Sequence, residues 1–311
     1  MDRKEQLIEK IKKLKEERQA VILAHYYARP EIQDLADYIG DSLALAQIAA
    51  KLPDPVLVMC GVNFMGETAK ILSPDKVVLI PDPEAGCSLA DSCPADDFKK
   101  FIEEHPGHTV VSYVNTTAEV KALSDILVTS SNARKIIESL PEDTPIIFGP
   151  DKNLGNYINS VTGRKMVLWN GACHVHEEFS VEKILALKKE HPEAKVLAHP
   201  ECKATVLAVA DTVGSTAALL KAATEAPDGS EFIVATESGI LHEMQKLNPG
   251  KTFIPAPPND STCACNDCAF MKLNTLQKLA DCLERMEPQI HVEEKLAVEA
   301  RKPIERMLQL S

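Results

Sequence analysis

Cysteines recur at matched places along this 311-residue chain. Cys87 follows Ala85-Gly86, Cys173 follows Gly171-Ala172, and a group of three, Cys263, Cys265 and Cys268, lies a comparable interval further on. Cys87 and Cys173 stand 86 residues apart, and Cys268 stands 95 beyond Cys173. Zinc sites usually take four ligands in tightly spaced pairs, whereas only Cys265-Asn-Asp-Cys268 has CxxC spacing here. One thiolate from each of three equivalent loops instead suits an iron–sulfur cubane, with three irons held and a fourth open to substrate as a Lewis acid. The glycine before Cys87 and before Cys173 would let the backbone approach a bulky group closely. Cys60, Cys93, Cys202 and Cys282 have no matched counterparts and read as structural thiols.

Polar residues repeat in step with the cysteines. His25, Tyr113 and His199 end three apolar runs and are separated by 88 and 86 residues. Ligands of open parallel sheets bind at strand C-terminal ends. The set therefore offers acid–base groups and hydrogen-bond donors, joined by the amide of Asn115 and the carboxylate of Glu201 two residues past Tyr113 and His199. Ser42, Ser130 and Ser215 with Thr216 are each expected to open a helix, where N-capping is the ordinary role. Three helix N-termini aimed at one axis would sum to roughly 1.5 positive charges, enough to hold a phosphate or a dicarboxylate. His174-Val-His176 suggests zinc but lacks a matching carboxylate or cysteine pair, and Lys70 and Arg164 default to surface cations. These four stay without a role.

The elements that must position these residues also come in threes. After the first strands at Val21–His25, Val110–Tyr113 and Lys195–His199, apolar runs follow at Val56–Cys60, Pro145–Phe148 and Glu231–Ala235. Lys76–Pro81, Lys165–Trp169 and Thr252–Pro255 complete each set. Strands of this kind alternating with helical patterns predict parallel sheets covered on both faces. Self-similarity at a fixed period of about 87 residues predicts three units. The expected fold is α/β, with three pseudo-threefold-related α/β/α lobes, each holding a four-stranded parallel sheet. Their bounds are 1–86, 87–172 and 173–272. An amphipathic helix, Gln6 to Gln19, opens the first of them, with Leu7, Ile8, Ile11 and Leu14 on one face. The tail, 273–311, is helical at Leu273, Leu276, Leu279 and Leu283 and again from Glu293 to Leu310, and is expected to pack back on the first lobe.

Composition excludes several classes. A formal net charge of −12 argues against nucleic acid, which needs a basic stripe. No run of about 20 apolar residues predicts a membrane span, and the charged start Met1-Asp-Arg-Lys-Glu5 lacks a signal-peptide core. A cytoplasmic setting follows as the expectation. There, nine cysteines do not form a disulfide framework. Neither GxGxxG nor a P-loop occurs.

Long motifs in order complete the reading. Ala24-His-Tyr-Tyr27, Pro30-Glu-Ile-Gln33, Gly40-Asp-Ser42, Val111-Ser-Tyr-Val-Asn115, Val128-Thr-Ser-Ser-Asn132, His199-Pro-Glu-Cys202, Ala235-Thr-Glu-Ser-Gly239 and Met271-Lys-Leu-Asn-Thr275 resemble the quinolinate synthase (NadA) family over nearly the whole chain. Ala269 follows the last cysteine where that family often has proline, and Ala28 stands where many members have glutamine. The resemblance implies a [4Fe-4S] cluster with one open iron, ligated by Cys87, Cys173 and Cys268. It implies a transferase of NAD biosynthesis that condenses iminoaspartate (iminosuccinate) with dihydroxyacetone phosphate to quinolinate, phosphate and water. An aspartate oxidase or dehydrogenase would be its functional partner. His25, Ser42, Tyr113, Asn115, Ser130, His199, Glu201, Ser215 and Thr216 would bind substrate. Enolisation beside the triose carbonyl needs a base, and Glu201 is the candidate, with His199, Tyr27 and Tyr113 as proton partners.

Overall fold

Twelve strands, among the described residues, form three separate four-stranded sheets. The first holds β1 (Ala20–His25), β2 (Tyr38–Gly40), β3 (Val56–Cys60) and β4 (Val77–Leu79). The second holds β5 (Thr109–Tyr113), β6 (Ile126–Val128), β7 (Ile146–Gly149) and β8 (Val167–Leu168). The third holds β9 (Lys195–Ala198), β10 (Thr212–Val213), β11 (Glu231–Ala235) and β12 (Thr252–Pro255). All pairings are parallel, and each sheet has its first strand inside its second, in the order second, first, third, fourth. This is a computed structural model, and it describes residues 2–260 and 266–311, so Cys263 and Cys265 lie outside the described residues.

One corner is built identically in all three units. Asp37 accepts from the Ile22 N–H at 2.8 Å, Asp125 from Val110 at 2.8 Å, and Asp211 from Val196 at 2.7 Å. Each aspartate also donates its own N–H to the carbonyl of the same strand residue. A carboxylate thus continues the sheet's hydrogen bonding at the entry to each second strand and fixes where that strand begins.

The central strands are largely apolar because helices cover both faces. All five residues of β3, Val56-Leu-Val-Met-Cys60, are buried. Tail helix Leu276–Arg285 lies against helix Arg3–Arg18, with Leu276, Leu279 and Leu283 in one buried cluster with Ile11, Leu14 and Ile22. Helix Glu294–Leu310 differs from a tail packed on the first unit alone. It lies mainly on helix Ala118–Ala122 and β6 of the second unit, and also on helix Asn63–Leu72 of the first. Ala300, Ile304 and Met307 make an apolar stripe at helical spacing that is buried there. No helix among the described residues is long and apolar enough to cross a membrane.

Candidate active site

The C-terminal ends of β1, β5 and β9 open into one cavity, which holds about 710 Å³ of space including its open mouth. Its lining brings together residues from all three units: His25, Tyr27 and Ser42, then Cys87, Tyr113, Asn115 and Ser130, then Cys173, His199, Glu201, Thr216 and Cys268. Ser215 is apart from this set. It is a buried N-cap whose hydroxyl accepts from the Ala218 N–H.

Ser42 opens its helix as expected but does not cap it, and Ser130 opens none. Helix Ser42–Lys51 is capped by Asp41, whose carboxylate accepts from the Ala44 N–H at 2.9 Å, so Ser42 is the first helical residue. Ser130 lies in the turn before helix Ala133–Ser139, whose cap residue Asn132 makes no capping bond. The Asn132 carboxamide oxygen instead accepts from the Thr129 N–H at 2.6 Å and holds that turn. Of the three helices expected from Ser42, Ser130 and Ser215 with Thr216, two therefore begin at the cavity, and one carries a carboxylate cap that offsets its dipole.

Two histidines repeat one geometry. The Tyr27 N–H donates to His25 Nδ1 at 3.1 Å, and the Glu201 N–H donates to His199 Nδ1 at 3.3 Å. Burial lowers His25 to about 4, against raising effects of Asp41 and Glu201, and lowers His199 to about 3, against the raising effect of Glu201. Both rings are therefore neutral near pH 7. With Nδ1 accepting, the proton sits on Nε2. His199 Nε2 is 3.2 Å from Ser130 Oγ, so it donates there.

Glu201 is the hub of the polar set. Tyr113 Oη donates to its Oε1 at 2.5 Å, and His176 Nδ1 lies 2.9 Å from its Oε2. Burial alone would raise this carboxyl. The His176 and His199 rings, with hydrogen bonds from His176 and Tyr113, outweigh that and hold it below the usual carboxylate range. Burial and the Glu201 charge raise both the Tyr113 and Tyr27 phenols well above 10, so both stay protonated. Tyr27 Oη sits between Thr216 Oγ1 at 3.0 Å and Thr236 Oγ1 at 2.7 Å, and Thr236 Oγ1 is also 3.0 Å from His176 Nε2. The side-chain carbonyl of Asn115 is buried without a hydrogen-bond partner.

His176 is the residue that spacing alone missed. The His174-Val-His176 pair does have a carboxylate, but it is Glu201, 25 residues away. Cys173, His176 and Glu201 converge closely enough to hold an ion. Their donor atoms are instead used among themselves, since His176 Nδ1 also lies 3.2 Å from Cys173 Sγ. Lys70 donates to the Pro74 and Lys76 carbonyls, and Arg164 to four carbonyls after and within helix Ala133–Ser139, so neither reaches the cavity.

The three cavity cysteines share a local fold. Each precedes a short helical turn, at Ser88–Asp91, His174–Glu177 and Met271–Leu273. Burial raises Cys87 to about 12, Cys173 well above 9 and Cys268 above 9. Opposing that, backbone N–H groups face each sulfur: Leu89 and Ala90 at Cys87, His176 at Cys173, Phe270 and Met271 at Cys268. A pocket with amides aimed at three sulfurs suits thiolates bound to a metal centre, where the cation would deprotonate them. The three-cysteine donor set thus fits a cubic iron–sulfur cluster. Among the described residues no cysteine is disulfide-bonded. Gly171 has a reason other than closeness to a bulky group, because a Cβ there would stand 2.6 Å from the Pro150 carbonyl oxygen of its own unit.

Similarity to known proteins agrees with this geometry. A family model described as quinolinate synthetase A protein matches residues 9–309. A quinolinate synthase of Thermosynechococcus vestitus is 59% identical over 98% of this chain and 95% of its own length. Those of Chloroherpeton thalassium and Microcystis aeruginosa are 57% and 58% identical, over 98% and 97% of this chain and 94% of their own lengths. With the match running through all three sheets and every cysteine-bearing turn, the chain belongs to the quinolinate synthetase A family.

Proposed function

We propose that the chain is a quinolinate synthase that condenses iminoaspartate (iminosuccinate) with dihydroxyacetone phosphate, releasing phosphate and water. The observation that carries this reading is the convergence of Cys87, Cys173 and Cys268, each past the fourth strand of a different sheet, on a cavity that also holds Glu201, Tyr113, Asn115 and two neutral histidines. The three cysteines would hold a [4Fe-4S] cluster, which supplies a Lewis-acidic open iron when bound. The source of iminoaspartate would be an aspartate oxidase or dehydrogenase.

The chain's own residues divide the remaining work. His25, from its protonated Nε2, donates to a substrate carboxylate, and the hydroxyls of Ser42, Ser130 and Thr216 add donors around the same space. Asn115 offers its unpartnered side-chain carbonyl to a hydroxyl or imine N–H of the substrate. Ser215 contributes by capping the helix that begins at Thr216 and so orients that hydroxyl. Glu201, ionised, takes a proton from the carbon beside the triose carbonyl. Tyr113 gives its phenolic proton to a substrate oxygen and is refilled from Glu201 across their 2.5 Å bond, with His199 and Tyr27 as further proton partners. Val62, Phe64 and Met271 form apolar wall that keeps water from the reacting atoms.

Anaerobic incubation of the purified chain with aspartate, an aspartate oxidase and dihydroxyacetone phosphate tests this reading. Quinolinate is the expected product. Its absence from protein that carries about four irons per chain would reject the reaction. Protein that binds one zinc and lacks iron–sulfur absorbance would reject the cluster.

A further inference from the structure

The Thr236-Glu237-Ser238-Gly239 loop just past β11 has no part in the chemistry described above beyond Thr236, yet Glu237 is 1% exposed and fully engaged. Its Oε1 accepts the backbone N–H of Cys268 at 3.0 Å and lies 2.8 Å from Lys272 Nζ. Its Oε2 accepts from the Gly239 N–H at 2.7 Å. Lys272 in turn donates to the Tyr27 carbonyl at 2.8 Å, and its own carbonyl accepts from Arg29 Nε at 2.7 Å. The turn between Cys268 and Lys272 is closed by the Lys272 N–H on the Cys268 carbonyl at 3.1 Å. A single ion pair, buried at Glu237 and half-buried at Lys272, thus joins the third cysteine to the loop after β11 and to the backbone of the first unit.

Two further features point the same way. A Cβ on Gly239 would stand 2.8 Å from Glu237 Oε2, from Lys272 Nζ and from Tyr27 Cα at once, so the junction closes only around a residue without one. Asn266, two residues before Cys268, donates its side-chain N–H to the Val175 carbonyl at 3.0 Å, beside the turn that bears Cys173. Neighbouring Thr236 and Glu237 serve opposite ends of the site: Thr236 bonds the Tyr27 hydroxyl, and Glu237 bonds the Cys268 amide.

We infer that Glu237 and Lys272 are positioning residues, a clamp that sets Cys268 in register with Cys173 and Tyr27 and so governs retention of the metal centre. This rests on the cluster reading above. Cys87 and Cys173 sit in turns continuous with their own units. Cys268 follows the last strand by thirteen residues, and this ion pair ties it down.

The test uses the full chain, reconstituted anaerobically with iron and sulfide, as wild type and as Glu237→Gln, Lys272→Met, Lys272→Arg and Gly239→Ala. Iron release to a chelator and the electron paramagnetic resonance spectrum of the dithionite-reduced protein are measured, with thermal unfolding alongside. Partners behind a metal ligand typically alter metal affinity by 10–100-fold, so Glu237→Gln and Lys272→Met should release iron about that much faster and shift the spectrum. Lys272→Arg keeps the pairing and should restore both readouts. If Glu237→Gln fails to fold, Gly239→Ala, which wedges the same junction, must show the faster release. Wild-type release rates and spectra in Glu237→Gln and Gly239→Ala would overturn the clamp. If wild type itself takes up no iron, the cluster reading fails separately. The clamp is then read from alkylation, where Cys268 must react faster relative to Cys87 in Glu237→Gln than in wild type, and equal ratios would reject it.

Discussion

Tyr113 Oη donates to Glu201 Oε1 at 2.5 Å, joining the end of β5 in the second unit to the residue two past His199 in the third. Both groups are buried, and the phenol is held protonated while the carboxyl is held ionised. A short bond from a neutral donor to a buried anion is strongly directional. It fixes the carboxylate in the cavity and helps keep it ionised.

Removing the charge and removing the donor should therefore have different sizes. Glu201→Gln should keep the iron content and lower turnover by about 10²–10⁴-fold, the range of general acid–base catalysis. Tyr113→Phe leaves the base but deletes one hydrogen bond to a charged group. That loss corresponds to roughly 10–100-fold in kcat. Single-turnover quinolinate formation checks both. Normal turnover in Glu201→Gln would transfer the base role to a histidine or tyrosine.

Acid should destabilise the protein through the buried histidines. Burial lowers the folded-state pKa of His25 to about 4 and of His199 to about 3, against 6.5 for a free side chain. The unfolded chain then binds protons that the folded chain refuses, so stability falls as pH drops below 6.5 and levels off near 4 for His25 and near 3 for His199. Each ring contributes a slope of up to about 1.4 kcal/mol per pH unit in its window. The depressed Glu201 carboxyl adds loss of the same sign at lower pH. Melting temperature measured on metal-free protein should decline steadily below about pH 6.5, with a shallower decline in His199→Gln. A flat profile from neutral pH down to 5 would contradict neutral buried rings.

The threefold plan was legible because its signals are periodic. His25, Tyr113 and His199 recur at 88 and 86 residues, and so do the aspartates Asp37, Asp125 and Asp211 that enter each second strand. Contacts between units carry no period and were not legible. His176 stood beside Cys173 in plain view, but its carboxylate partner, Glu201, is brought up only by the fold. Glu237 meets the Cys268 amide from 31 residues away, in a loop that the repeats do not mark. The cap at Ser42 and the helix start at Ser130 were misjudged where a stronger local acceptor was present. Asp41 outcompetes Ser42 as a cap, and Asn132 folds back on Thr129 and delays the second unit's helix to Ala133. The seam-spanning helix Glu294–Leu310 depends on a groove that exists only once two units are adjacent.

Asn115 gives a prediction about binding rather than turnover. Its buried side-chain carbonyl has no partner within the protein, and a buried unsatisfied acceptor normally costs about 1–3 kcal/mol. A substrate donor that satisfies it recovers that cost on binding. Asn115→Ala should therefore raise KM by roughly 5–100-fold with a smaller change in kcat. It should leave the protein no less stable by thermal unfolding. Unchanged KM with reduced kcat would instead assign the amide to the transition state.

Separating the cavity thiols from the rest is the sharpest test of the iron site. Cys87, Cys173 and Cys268 each precede a helical turn whose N–H groups face the sulfur, and all three line the cavity. Cys93 and Cys202 are more deeply buried, but Cys202 Sγ donates to the Ala235 carbonyl at 3.3 Å and Cys93 packs beside Phe98 and Val120. A serine hydroxyl can replace the Cys202 bond, whereas a serine is a poor ligand for soft iron–sulfur chemistry. Cys87→Ser, Cys173→Ser and Cys268→Ser should each fail to retain the cluster, and Cys202→Ser and Cys93→Ala should keep it. The measurement is iron and sulfide per chain after anaerobic reconstitution, with visible absorbance on the same samples. Full retention in Cys268→Ser would move the third ligand to Cys263 or Cys265, while loss in Cys202→Ser would show that burial, and not the cavity turn, decides which thiols bind iron.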